Sequence, residues 1–84
     1  MRAREAVAEA ERRLAAAGVE TPRVDAEWLV AHVLGTTRSG IAARFEDEVE
    51  GLEPLLVRRE AREPLAYVLG EWAFRRLTLR TDAR

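Results

Sequence analysis

The stretch REPLAYVLGEWAF, Arg62 to Phe74, decides the fold, because the chain changes its period within it. Pro64 lacks an N–H and disfavours helical geometry at Glu63, so a preceding helix must stop near Arg62 and a short new one runs from Pro64 to Leu69. Gly70 is its expected stop. Beyond it the spacing of apolar residues becomes two. Trp72 and Phe74 fall on one face, and Leu77 and Leu79 resume the alternation after Arg75-Arg76, which predicts a hairpin whose turn holds two arginines where Gly, Asn or Asp is favoured.

Upstream, everything reads as helix. Ala3, Ala6, Val7, Ala10, Leu14 and Ala17 recur at helical spacing, with Gly18 as the stop. Thr21-Pro22 is an N-cap followed by proline in the first turn, and the second helix carries Ala26, Leu29, Val30, Val33 and Leu34 on one face before Gly35 closes it. Thr36 or Thr37 caps a short third helix from Ile41 to Phe45. The acidic run Glu46-Asp47-Glu48 reads as a solvated loop bringing negative charge toward the N-terminus of the next helix. That fourth helix holds Leu52, Leu55 and Leu56, with Pro54 in its first turn. The fold class is therefore mainly α, a small bundle of about five helices over residues 1–70, followed at 71–84 by the start of a β-hairpin connector. The closing residues Thr81 to Arg84 carry no stop signal, and a lone hairpin is marginal in water, so the natural chain is expected to continue.

Composition narrows the function classes. Eighty-four residues make one small domain, which buries roughly 60 to 65% of its unfolded surface. An apolar share of 48% beside 35% charged residues fits a folded chain. With no cysteine, neither disulfides nor thiolate metal sites can support the small core. No apolar run approaches a membrane span and no signal peptide opens the chain, so the default expectation is a cytoplasmic protein without a membrane partner. All fourteen basic residues are Arg, a bias better explained by codon usage than by nucleic-acid binding. Their distribution is uneven: residues 1–57 hold 7 Arg against 11 acids (−4), and residues 58–84 hold 7 Arg against 4 acids (+3).

The residues for chemistry are missing. Glycines at 18, 35, 40, 51 and 70 are too far apart for a nucleotide-binding turn. His32, the single histidine, cannot form a zinc site and reads as a surface or interface side chain. Ser39 has no neighbouring base. No catalytic, cofactor-binding or metal residue is expected in this segment.

RREAREPLAYVLGEWAF, Arg58 to Phe74, resembles the junction of the release-factor glutamine methyltransferases, which methylate the glutamine of the Gly-Gly-Gln loop in peptide chain release factors. Arg58, Arg59, Glu63, Pro64, Leu65, Ala66, Tyr67, Gly70 and Phe74 meet that family's pattern, and PRVDAEWLVAHVLG, Pro22 to Gly35, is similar to the second helix of its N-terminal domain. Arg62 stands where the family commonly has Gly, and Arg76 where it often has a small residue. The resemblance implies an N-terminal substrate-recognition domain whose own C-terminal methyltransferase domain, binding S-adenosylmethionine and carrying an Asn-Pro-Pro-Tyr motif, lies outside this segment, which contains no Asn. Pro64, Tyr67, Gly70 and Phe74 would form the connector. The expected partners are the release factor and the catalytic domain, and Arg58, Arg59, Arg62, Arg75 and Arg76 are the possible contacts.

Two rival readings stand beside this one at the level of sequence. A helical nucleic-acid-binding module is suggested by the C-terminal arginines but opposed by a pI of about 5.9 and by the acids of the first 57 residues. A generic helical oligomerisation domain would use the Ala-rich face of the first helix, but no sustained heptad supports it.

Overall fold

The stripe of small residues on the first helix sets the architecture. In the computed structural model, which describes residues 1–70, helix α1 (Ala3–Ala16) buries Ala3, Ala6, Val7, Ala10 and Leu14. It packs most extensively against α2 (Pro22–Leu34), which contributes Ala26, Leu29, Val30 and Ala31 to the same core. Alanine on the facing stripe lets the two helices approach closely while Leu14 and Leu29 fill the remaining space. Helix α3 (Leu52–Glu60) closes the core with Leu56, and the single turn α4 (Leu65–Val68) adds Val68 and the adjoining Leu69.

The third of the expected five helices is a 3₁₀ turn, Ile41–Arg44, so the described residues hold four α-helices. Short isolated turns commonly adopt 3₁₀ bonding, and Gly40 before this one adds no helical preference. Ile41 alone of the four is buried. The β-hairpin connector expected over 71–84 lies outside the described residues. Those described contain no strand, only an isolated antiparallel bridge between Arg2 and Glu48. Helix α4 ends at Val68, two residues before the stop expected at Gly70, and Gly70 itself carries helical backbone. None of these helices is long and apolar enough to cross a membrane.

The acidic run also plays a different part from the one expected. It serves the start of α1 rather than that of α3: Ala3 N–H donates to the Asp47 carbonyl at 2.8 Å and Arg4 N–H to the Phe45 carbonyl at 3.1 Å. Arg2, in the capping position, has no side-chain oxygen to offer the orphan amides of the first turn, so the loop backbone supplies the acceptors. Glu5 reaches back to the Arg2 N–H at 2.9 Å, and Glu46 pairs with Arg2 and Arg4.

Three helices finish in one geometry. After α1, Gly18 N–H donates to the Ala15 carbonyl and Val19 N–H to the Leu14 carbonyl, both at 3.0 Å, with Gly18 at φ 87°. Gly35 does the same work after α2 at φ 75°. After α3 the equivalent position is Arg62, at φ 73°, with Arg62 N–H on the Arg59 carbonyl and Glu63 N–H on the Arg58 carbonyl. Arg62 thus occupies a left-handed site that glycine fills without steric penalty.

Candidate functional site

Of the residues singled out in the sequence, Arg58, Arg59, Arg62, Pro64, Tyr67 and Gly70 are described, and they lie along α3, α4 and the corner between them. Pro64 builds it: with φ at −56° it precedes α4, and its carbonyl accepts from Tyr67 N–H at 2.8 Å and Val68 N–H at 3.1 Å. These bonds turn Val68 and Leu69 into the core and leave Tyr67 outside, 66% exposed.

Of the five arginines expected as partner contacts, three are described, and the structure ties each of them to the domain. Arg59 turns inward: its Nε donates to Asp25 Oδ2 at 2.8 Å and its Nη1 to the Glu63 carbonyl at 2.7 Å. Asp25 is 4% exposed and also accepts from Thr21 Oγ1 at 3.1 Å, so the pair locks the start of α2 to the end of α3. Arg58 bonds Glu63 Oε1 through Nε at 2.9 Å and reaches the Tyr67 carbonyl through Nη2 at 3.4 Å. Arg62 donates from Nη1 to the Ala17 carbonyl at 3.3 Å, placing a cation at the C-terminal end of α1. Phe74, Arg75 and Arg76 lie outside the described residues.

A second polar seam joins α1 to α3. Arg13 forks onto Glu53 at 2.8 and 2.9 Å and onto Glu60 at 2.7 and 2.9 Å. These bonds raise the Arg13 guanidinium above its usual pKa and hold both carboxyls below theirs. Around α2, burial pushes Glu27 up, but hydrogen bonds from Arg38 and Arg23 outweigh it and leave the carboxyl below its ordinary value. Arg23 is raised in turn by its bonds to Glu27 and Glu11.

Between α1 and α3 runs a groove of about 330 Å³ lined by Ala6, Val49, Leu52 and Leu56, with Glu9, Arg13 and Glu53 beside it. Its carboxylates are engaged by Arg12 and Arg13, so no free acid–base pair among the described residues faces the groove. Among the described residues no group of three or more His, Asp or Glu could hold a metal ion. Gly18, Gly35 and Gly51 each adopt positive φ singly at a helix end, and no two of them form a turn around a common ligand. His32 is half-buried on α2.

Two features of the corner have no signature in the sequence. Asp25 meets Arg59 across 34 residues, a separation that leaves no local spacing to read. Val57, 48% exposed, lies on the outer side of α3 although its residue type suggests core.

Comparison with known proteins places this arrangement. The model of the PrmC N-terminal domain family matches residues 5–70. A release factor glutamine methyltransferase of Mycolicibacterium smegmatis is 44% identical over 81 residues, covering 93% of this chain and 29% of that protein. The protein of the same name from Rhodospirillum rubrum is 40% identical over 76 residues, covering 84% and 23% respectively. That of Deinococcus radiodurans is 36% identical over 93 aligned positions, covering 100% and 32%. The chain thus spans less than a third of the length of these curated relatives. No solved structure matches it.

Proposed function

Because this chain belongs to the PrmC N-terminal domain family, we propose that it is the substrate-recognition domain of a cytoplasmic release factor glutamine methyltransferase, acting on the glutamine of the Gly-Gly-Gln motif. The observation that carries this reading is the coincidence of the family match, residues 5–70, with a helical unit whose polar side chains are committed to holding its shape. Residues 71–84 are then the start of the connector to the methyltransferase domain.

The chemistry explains the need for such a domain. An amide nitrogen is a weak nucleophile because its lone pair is delocalised into the carbonyl, so methyl transfer to it depends on holding it in line with the donor. A protein substrate can be gripped far from its reacting atom, and that remote binding energy then serves orientation at the reacting centre. S-adenosylmethionine supplies the methyl group in the parent enzyme. The described residues form no glycine turn, and the carboxylates beside the α1–α3 groove are taken up by Arg12 and Arg13, so this domain's contribution is read as binding and orientation.

The test compares the parent enzyme with a form lacking residues 1–70. Methylation of an intact release factor should lose most of its kcat/KM, while a short peptide carrying Gly-Gly-Gln should be methylated as before. Equal activity of the two enzymes on the intact factor would refute the assignment.

A further inference from the structure

Every arginine among the described residues is engaged within the domain. Of the 10 in residues 1–70, Arg62 bonds the Ala17 carbonyl and each of the others pairs with a carboxylate. The same residues hold 13 acids, so the charge left over is negative (10 − 13 = −3). One part of this surface also has an apolar floor, the groove between α1 and α3 lined by Ala6, Val49, Leu52 and Leu56. Leu52 is only half-buried there. Carboxylates outnumber guanidiniums around the groove: Glu9 pairs with Arg12, while Glu53 and Glu60 share Arg13. Glu50, exposed between the lining residues Val49 and Gly51, has no partner among the described residues.

We propose that the α1–α3 groove is where this domain grips the release factor, and that it takes a segment of that factor with an apolar ridge flanked by Lys or Arg, away from the Gly-Gly-Gln loop. The proposal rests on the function assigned above and names the surface through which it acts.

Charge complementarity chooses the occupant. An aliphatic side chain fits the floor, and basic flanks answer Glu50 and the surplus carboxylate on Arg13. A factor that works among the phosphates of ribosomal RNA has basic surface to offer. RNA itself would meet net negative charge and, among the described residues, no free arginine to neutralise its phosphates. A second copy of the domain would bring like charge to like. The groove lies against the first half of α3, whereas the chain leaves beyond α4, past the other end of that helix, so the catalytic domain is joined away from it. A small groove suffices, because a factor already held at its Gly-Gly-Gln loop meets this second contact at an effective concentration in the millimolar range.

The experiment uses the full-length enzyme and compares Glu50→Lys with Glu20→Lys, the same charge change at another exposed carboxylate without a partner among the described residues. At low salt Glu50→Lys should raise KM for the intact release factor about threefold, with the difference shrinking as salt rises, and Glu20→Lys should leave it nearly unchanged. Leu52→Ser should raise the same KM about tenfold at any salt. Methylation of a short Gly-Gly-Gln peptide should be unaffected in all three. Equal effects of the two lysines would reduce the result to net charge, and no effect of Glu50→Lys at low salt would make the groove plain surface; either overturns the proposal. So would a changed rate on the peptide, which would seat the catalytic domain in the groove, or a wild-type enzyme whose sedimentation shows a dimer broken by Leu52→Ser, which would seat a second copy. If Leu52→Ser loses helical circular dichroism, the lysine comparison decides alone, because the Glu50 side chain bonds nothing in the domain. Removal of residues 1–70 separates the two claims: a loss of activity on the intact factor without any effect of Glu50→Lys refutes the groove alone, and no loss refutes the functional reading.

Discussion

Asp25 and Arg59 form the most enclosed ion pair among the described residues, their side chains 6% and 17% exposed and joined at 2.8 Å. The carboxylate also accepts from Thr21 Oγ1 and the guanidinium also donates to the Glu63 carbonyl, so the bonding needs of a nearly dry pair are largely met. Such pairs add little net stability when intact but are expensive to break, because the surviving charge remains desolvated.

Asp25→Ala should therefore destabilise the domain by about 3 to 5 kcal/mol, a large share of what a domain this size possesses. Replacing both partners with apolar residues, Asp25→Leu with Arg59→Met, should recover most of the loss. Urea unfolding of the two variants measures this, and a double variant no more stable than the single would contradict it.

Arg62→Gly should stabilise the domain. Removing a side chain from left-handed φ relieves about 1 kcal/mol, which the lost Arg62 to Ala17 hydrogen bond offsets only in part. The melting temperature should rise by roughly 2 to 6 °C. Arg62→Ala should lower it, since it keeps the strain and loses the bond.

Glu53, Glu60 and Glu27 are all held below the ordinary carboxylate value of 4.5 by arginines. Their contribution to stability is complete above that pH and is lost as the pH falls below it, because the unfolded chain then binds protons more readily than the folded one. Urea midpoints at about pH 7 and about pH 3 should show the drop, and Arg13→Met should make it shallower by removing the partner of Glu53 and Glu60. Glu53 is well exposed and contributes least, owing to solvent screening.

Leu56→Ala should cost about 2 to 5 kcal/mol, since this side chain is 1% exposed in the centre of the core. Its neighbour Val57, on the outer side of α3, should tolerate alanine within about 0.5 kcal/mol. Comparable losses at both positions would show that Val57 is covered in solution.

Isothermal titration of the 84-residue chain with S-adenosylmethionine should give no saturable heat. Micromolar binding would contradict the assignment of the cofactor to the domain outside this chain.

Helices α1 and α2 are legible because their signals are local. The period of Ala3, Ala6, Val7, Ala10 and Leu14 and the stops at Gly18 and Gly35 are each contained within a few turns of chain. Ile41 to Phe45 reads as α-helix and folds as 3₁₀ because apolar residues over one turn have the same pattern in both forms. Proximity along the chain assigns the acidic run to α3, whereas in the fold its Asp47 carbonyl accepts from Ala3 N–H at the start of α1, more than forty residues away. Residue type alone makes the arginine cluster look available, and only the fold reveals that Arg58, Arg59 and Arg62 are occupied at home.

The groups that complete α1 are translated long after it. Its opening amides wait for Phe45 and Asp47, Arg13 for Glu53 and Glu60, and the Ala17 carbonyl for Arg62. On the ribosome α1 is therefore a provisional helix, able to fluctuate until the α3 corner has cleared the exit tunnel. Folding of this domain should occur as a single late event near the emergence of Arg62 rather than helix by helix in the order of synthesis.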